Sequence, residues 1–298
     1  MSSRARRWLK TGLQALVSAG LVIILVRQLD LAEMRAIVMR PHGLPWLLAA
    51  VLLFNASKVV GALRLNIYQR AAGIALGELA NIRLYYAGMF LNLCLPGGIG
   101  GDGYKILVLH RRQAVPLKKL VLITLADRLS GMLCLLLLLC LLMPLTPLPW
   151  PGNRVYAGAA IGAVSAVSAL ILAHRLLFRL ERAALAKVCY YGMTVQLLQL
   201  ACIATLLAYV QLPVGDYGAH LAVFLVSSIA AVLPLSLGGI GARELTFFYG
   251  LKLLQLDPAH GVVVSSVFFL ITLLSSLVGA LFLKTFSSRQ AVAPGSGQ

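Results

Sequence analysis

The sequence predicts an all-α polytopic membrane protein with about six full transmembrane helices and two oppositely oriented re-entrant hairpins. Composition is the first reason, because 60% of the 298 residues are hydrophobic and only 12% are charged. Soluble domains carry about 25% charged residues, so a soluble protein of this composition would lack the polar surface needed to cover its core. The second reason is the number of long apolar stretches, and the third is a pair of glycine clusters beside shorter apolar pieces.

Seven apolar stretches approach the roughly 20 residues that a helix needs to cross the hydrocarbon core. The predicted spans are 11–29, 44–63, 119–143, 155–173, 189–211, 219–237 and 259–283. Two further apolar pieces, 84–95 and 245–256, are too short to cross the bilayer alone. Each of these short pieces adjoins a glycine cluster, which sets the two places apart from the rest of the chain.

The distribution of basic residues predicts the orientation of the spans. Four basic residues lie within 1–10 and four within the loop 174–188, whereas 144–154 carries one and 211–218 carries none. By the positive-inside rule, the first two segments are cytoplasmic and the other two are exterior. Two basic residues near the C-terminus place that end inside as well. This rule, with attraction to anionic headgroups, accounts for the net charge of +17 and excludes nucleic acid as a partner.

The predicted orientation makes hairpins of the two short pieces. The segment 84–115 starts and ends on the cytoplasmic side, and the segment 219–257 starts and ends outside. Each has a glycine-rich tip, at 95–105 and 233–244, and the tips share the string GGIG. Two Gly/Pro-interrupted segments of opposite topology are typical of an inverted repeat with a binding site where the broken helices meet. The alternative is a chain with eight or nine full spans.

The glycine tips predict a binding site for an anion, particularly a phosphate. Irregular backbone within a bilayer survives only where it is buried in protein or lines a wet cavity, and five of the residues 97–103 are glycine. A helix that restarts after such a tip directs unpaired N–H groups and its positive dipole end into the cavity. The competing interpretation is that the glycines only let helices pack closely.

Charged residues beside the tips extend the predicted site, because charge within membrane segments is costly and usually functional. An arginine can hold a phosphate bidentately, and a nearby carboxylate can compensate and orient it. The predicted substrate-binding residues are those of the tips, the charges beside them and three positions on neighbouring helices: Asn92, Pro96, Gly97, Gly98, Gly100, Gly101, Asp102, Lys105, Asp127, Arg128, Pro234, Gly238, Gly239, Gly241, Arg243 and Glu244. Asn92 and either Tyr85 or Tyr86 are candidates for neutral hydrogen bonds to the ligand, although the favoured interpretation is an interhelical contact for Asn92 and an interfacial position for the tyrosine. Lys58 and Arg64, at the cytoplasmic end of the second span, are expected to extend to the membrane surface.

No metal, cofactor or catalytic residue is predicted. The five cysteines lie in apolar stretches without a CxxC motif, and the histidines form no ligand cluster. Gly98, Gly100 and Gly103 spell GxGxxG, but a dinucleotide site needs a strand before the motif. Proton-coupled movement through one of the acidic site residues stays open.

With its two tips, the sequence resembles the membrane region of lysylphosphatidylglycerol synthetases and their stand-alone flippase-like relatives. Family members have Pro-Gly-Gly-x-Gly-Gly-Asp near the third segment and Pro-(x)-Gly-Gly-x-Gly-x-Arg-Glu late in the chain, which match 96–102 and 234–244 here. Arg128 matches a recurring family position, and Lys105 stands where the family often has arginine. The resemblance implies a multi-pass protein of the cell inner membrane that moves a lipid between leaflets.

We therefore expect a basic cytoplasmic N-terminus at 1–10, a single flippase-like transmembrane domain at 11–285 and a disordered tail at 286–298. Because the chain ends at Gln298, we expect no soluble aminoacyl transferase domain and no enzyme activity. The expected function is translocation of an anionic phospholipid or a polyprenyl-phosphate-linked lipid. Two alternatives stay open: a non-transporting membrane subunit that supports a separate lipid- or glycan-modifying enzyme, and an intramembrane lipid-modifying enzyme.

Overall fold

The computed structural model describes residues 43–94, 100–146, 152–175, 180–232 and 241–287. Within these ranges the regular structure is helical and contains no strand, so the predicted all-α fold class is confirmed. The α-helices are α1 (Leu44–Ala71), α2 (Glu78–Cys94), α3 (Gly100–Gln113), α4 (Leu117–Leu142), α5 (Gly152–Ala173), α6 (Arg182–Tyr209), α7 (Tyr217–Val232), α8 (Ala242–Leu253) and α9 (Pro258–Ser287).

Six helical segments of the described chain are long and apolar enough to cross a membrane. They are Leu44–Ala71, Leu117–Leu142, Gly152–Ala173, Arg182–Tyr209, Val214–Ala231 and Pro258–Phe286. These segments coincide with six of the seven predicted spans. The predicted span 11–29 lies outside the described residues, as do the basic segment 1–10 and the chain from 288 onward.

The first described helix is longer than its apolar stretch predicts. The predicted span ends at residue 63, whereas α1 continues to Ala71. Its last turns carry polar side chains, among them Arg64 and Gln69, which are buried against other helices. Hydropathy ends the span too early because these polar groups face protein. Consequently Lys58 lies near the middle of the 28-residue helix and not at its end.

Helix packing has an internal two-fold pattern. The helices α1 and α6 pack along each other, α2 packs against α9, and α7 packs against α4. Within each half, α2 packs on α3 as α7 packs on α8, and the second member of each pair contacts the next helix, α4 or α9. Exchanging α1–α4 for α6–α9 therefore leaves these contacts unchanged. The remaining helix, α5, packs along α4 and connects the halves.

Each short helix pair lies in its own cluster of buried apolar side chains. The larger cluster surrounds α7 and α8 and includes Phe54 of α1, Phe224 and Phe247. The smaller cluster surrounds α2 and α3 and includes Leu84 and Leu120. The helices α1, α4 and α6 contribute buried side chains to both clusters, so these three helices position the two short helix pairs relative to each other.

Candidate functional site

The first tip centres on a carboxylate between two cations. Asp102 lies in the first turn of α3 and is 7% exposed. The Lys105 ammonium nitrogen is 2.7 Å from Asp102 Oδ1, and Arg128 of α4 donates from Nε to Oδ2 at 2.6 Å. An acid in this position also interacts favourably with the positive end of the helix dipole. Asp102 therefore pairs with two of the predicted site residues and compensates one of their two positive charges.

A close crossing of α2 and α3 holds this tip in place. The Asn92 side-chain oxygen accepts a hydrogen bond from the Gly101 N–H at 2.7 Å, so one free N–H at the start of α3 is satisfied by the protein itself. A Cβ atom at Gly101 would collide with the backbone carbonyl of Gly88. Glycine at position 101 is thus required by close helix packing, and Asn92 serves as a cap.

The two tyrosines of α2 have different surroundings. The Lys105 ammonium nitrogen lies 5.0 Å from the centroid of the Tyr85 ring, a cation–π distance. The hydroxyl of Tyr86 donates to the Asn55 side-chain oxygen at 2.8 Å. Tyr85 therefore belongs to the first tip, whereas the Tyr86 hydroxyl bonds to α1.

A second ion pair lies beside the first tip. The Arg64 Nε donates to Asp127 Oδ1 at 2.8 Å, and both residues are buried. The expectation that Arg64 extends to the membrane surface is wrong, since this pairing holds it between α1 and α4. A Cβ atom at Gly131 would come within 3.0 Å of Arg64 Nη1, so this glycine leaves room for the guanidinium group. The neighbouring residues Asp127 and Arg128 thus have different partners.

The second tip begins α8 with a cap made by its own acid. Gly241 has φ +82°, a conformation that side chains with a Cβ rarely adopt. Its N–H donates to the Glu244 carboxylate at 2.9 Å, the return hydrogen bond of a capping box. Glu244 is buried, and within the described ranges it forms no ion pair. The expected pairing of Glu244 with a site arginine is absent there.

Arg243 follows this cap and contacts neutral groups. Its Nη1 donates to the hydroxyl oxygens of Ser227 and Ser228, both at 3.1 Å. Its guanidinium carbon lies 5.2 Å from the ring centroid of Phe224 and 5.0 Å from that of Phe268. In the described part of the chain, Arg243 contacts no carboxylate and makes no hydrogen bond through Nε or Nη2. That edge of the guanidinium group has the geometry for bidentate contact with an oxyanion.

The remaining predicted site residues divide into two groups. Gly100 is the first residue of α3, which restarts directly after the glycine run as predicted. The others lie outside the described residues: Pro96, Gly97, Gly98, Pro234, Gly238 and Gly239. Over the ranges that the structure describes, no group of three or more His, Cys, Asp or Glu could hold a metal ion.

Comparison with known protein families gives a match over most of the chain. The family model described as the lysylphosphatidylglycerol synthase TM region matches residues 13–279. Searches of curated proteins and of solved structures found no match.

Proposed function

Because this chain belongs to the family of the lysylphosphatidylglycerol synthase transmembrane region, we propose that it moves an anionic lipid between the leaflets of the bilayer. The family and the six apolar helices make it a multi-pass membrane protein. In the proposal the lipid is an anionic phospholipid or a polyprenyl-phosphate-linked lipid, the membrane is the cell inner membrane, and both termini are cytoplasmic. The protein acts as a translocator and not as an enzyme.

The proposal depends mainly on Arg243, which is partly buried and contacts no carboxylate in the described chain. A partly buried guanidinium group is costly unless an anion compensates it. The only carboxylate of the same helix, Glu244, is already used to cap Gly241. A lipid phosphate bound to the free edge of Arg243 would supply the missing negative charge, while Ser227 and Ser228 hold the guanidinium group in position.

Helix lengths support re-entrant hairpins at the two tips. The helices α2, α3 and α8 have 17, 14 and 12 residues. At a rise of 1.5 Å per residue they reach about 26, 21 and 18 Å, which is less than the ~30 Å of the hydrocarbon core. The fourth member, α7, belongs to a segment, Val214–Ala231, that is long enough to cross the membrane. In the proposal each pair enters from one face and returns to it, and the exchange symmetry of the packing supports equivalent positions for the two pairs.

The proposed movement follows from this arrangement. Each helix pair packs against the last helix of the opposite half, α2 against α9 and α7 against α4. Rocking of one half relative to the other would change these two contacts together and expose the headgroup site to one leaflet at a time. The lipid tails would stay in the bilayer while the headgroup crosses beside α1.

The test uses purified protein in vesicles that contain acyl-labelled phosphatidylglycerol or a labelled polyprenyl phosphate, with a membrane-impermeant quencher added outside. We expect the wild type to move at least one of these lipids faster than protein-free vesicles. Arg243→Gln should lower the rate about tenfold or more, because it removes a charged hydrogen-bond donor from the ligand.

The matched control is Lys252→Gln, which also removes a cation from α8. Lys252 is exposed and lies 5.8 Å from the Phe248 ring centroid, away from the serines that hold Arg243. This variant should keep the wild-type rate. If neither lipid moves between leaflets faster in vesicles with wild-type protein than in protein-free vesicles, the result would contradict lipid translocation.

A further inference from the structure

Lys58 is a second cation without a carboxylate partner near the second tip. It projects from the middle of α1, is partly buried, and has its ammonium nitrogen 4.5 Å from the centroid of the Phe54 ring. None of the described residues offers it a carboxylate or another hydrogen-bond acceptor. The sequence predicts that Lys58 extends to the membrane surface. Its position in the middle of α1 does not support this, because the side chain would have to pass about half of a ~42 Å helix to reach either end.

Lys58 and Arg243 share one aromatic platform, which consists of Phe54, Phe224 and Phe268. The ring centroids of Phe54 and Phe268 are 5.5 Å apart, and those of Phe224 and Phe268 are 5.2 Å apart, both edge to face. Lys58 lies over the first ring, and Arg243 lies over the other two. The two cations come from different halves of the fold, α1 and α8, and repel each other across the platform.

The charges around the two tips leave an excess of two positive charges. Five cations face three carboxylates in this part of the described chain: Lys58, Arg64, Lys105, Arg128 and Arg243 against Asp102, Asp127 and Glu244. The first two carboxylates bind cations of the first tip, and the third caps its own helix. Arg64, Lys105 and Arg128 share two carboxylates, so one of the two excess charges lies at the first tip and one at the second. Lys58 and Arg243 are the two cations of this described set that contact no carboxylate.

We infer that Lys58 and Arg243 together bind a lipid phosphate that carries two negative charges, a phosphomonoester or a diphosphate, in preference to a singly charged phosphodiester. The inference rests on the proposed function and narrows its substrate class. A dianion on the platform would give Lys58 and Arg243 an anionic contact each, whereas a phosphodiester offers one negative charge to two cations that contact no carboxylate in the described chain. Arg243 supplies a planar pair of donors and Lys58 a point charge, a combination that suits several phosphate oxygens.

The experiment compares two lipids with the same acyl chains, phosphatidic acid and phosphatidylglycerol, by native mass spectrometry of the full chain at pH 8. At this pH a phosphomonoester carries close to two charges and a phosphodiester carries one. We expect the wild type to retain phosphatidic acid about tenfold more strongly, the effect of one additional charged hydrogen-bonded contact. Equal retention of the two lipids by the wild type would overturn the inference without any variant.

Variants test whether the preference for phosphatidic acid depends on Lys58. Lys58→Met should bring the ratio of the two lipids close to one, Lys58→Arg should keep the preference, and Lys252→Met should leave it unchanged. A Lys58→Met protein that folds and still prefers phosphatidic acid would contradict the inference. An added arm with inorganic phosphate separates a lipid site from a general anion site: displacement of phosphatidic acid by an equal concentration of phosphate would also contradict it.

The same preparation distinguishes this inference from the proposed function. A protein that moves lipid in vesicles but retains both lipids equally would keep the translocation proposal and remove the charge preference. A protein that prefers phosphatidic acid but moves no lipid would keep the binding site and remove translocation.

Discussion

The two glycine-rich tips share a sequence string but differ in the charge that follows it. Asp102 and Arg243 are each the second residue after GGIG, so they occupy equivalent positions in the first turns of α3 and α8. Asp102 is favoured there by the helix dipole, and it binds Lys105 and Arg128. Arg243 is disfavoured by the same dipole and has neutral partners in the described chain.

The two halves of the repeat thus share a backbone arrangement, whereas the charge and the contacts of each tip depend on individual side chains. At the first tip each cation contacts a carboxylate of the protein, so these ion pairs contribute to the stability of the fold. The second tip carries a charge that its surroundings do not balance, and it is therefore the place where a ligand has most to add. Three substitutions test this division, from the largest expected effect to the smallest.

The largest effect is expected from Asp102→Ala at the first tip. This change leaves the partly buried Lys105 without its carboxylate, and Arg128 loses the same partner. Removing one member of a buried ion pair typically costs about 3 kcal/mol or more. The free energy of unfolding in detergent should fall by about 3 kcal/mol, measured by denaturant titration. An unchanged unfolding curve would show that the first tip is not a stabilising element.

An intermediate effect is expected from Gly101→Ala, which tests whether the first tip depends on close helix packing. The new Cβ would collide with the Gly88 carbonyl, a backbone atom that cannot rotate away. Overpacking of this kind costs about 1–3 kcal/mol. Thermal unfolding should show the loss.

The matched control lies two residues later on the same helix. A Cβ at Gly103 would meet no atom within 4 Å. Gly103→Ala should therefore stabilise α3 by about 0.5–1 kcal/mol, since alanine has the higher helix propensity. Equal effects of the two substitutions would contradict the close crossing of α2 and α3.

The smallest effect on stability, and the one with the most informative sign, is expected from Arg243→Met. Methionine can remain on the aromatic platform while the uncompensated charge is removed. The free energy of unfolding without added lipid should stay within about 1 kcal/mol of the wild type or rise. Stabilisation by added anionic lipid should be lost, as measured by the lipid-dependent shift in melting temperature. A destabilisation as large as that of Asp102→Ala would place Arg243 in the structural framework instead.

Some features of the site had local signals in the sequence. Glu244 follows Gly241 by three residues, which is the spacing of a capping box, so its role as a cap could have been predicted. Gly61, Arg64 and Tyr68 recur at intervals of three and four residues across the end of the apolar stretch, which indicates one buried face of a continuing helix. Both signals are periodicities within one helix and need no knowledge of its neighbours.

Other features had no such signal. Asp127 and Arg128 are adjacent, but successive residues on a helix point about 100° apart. One therefore faces Arg64 of α1, and the other faces Asp102 of α3. The sequence places both residues on one helix, but which helices pack against each side follows from the arrangement of the whole bundle.

By itself, the sequence determined the helical fold class, the places of six spans and the restart of helices after the glycine runs. These properties follow from sums over neighbouring residues: apolar length, basic flanks and glycine content. Only the tertiary structure decided which carboxylate compensates which cation, and therefore that Lys58 and Arg243 are left together on one platform. Charge compensation depends on distance in space, and residues from helices far apart in the chain become neighbours only when the helices pack.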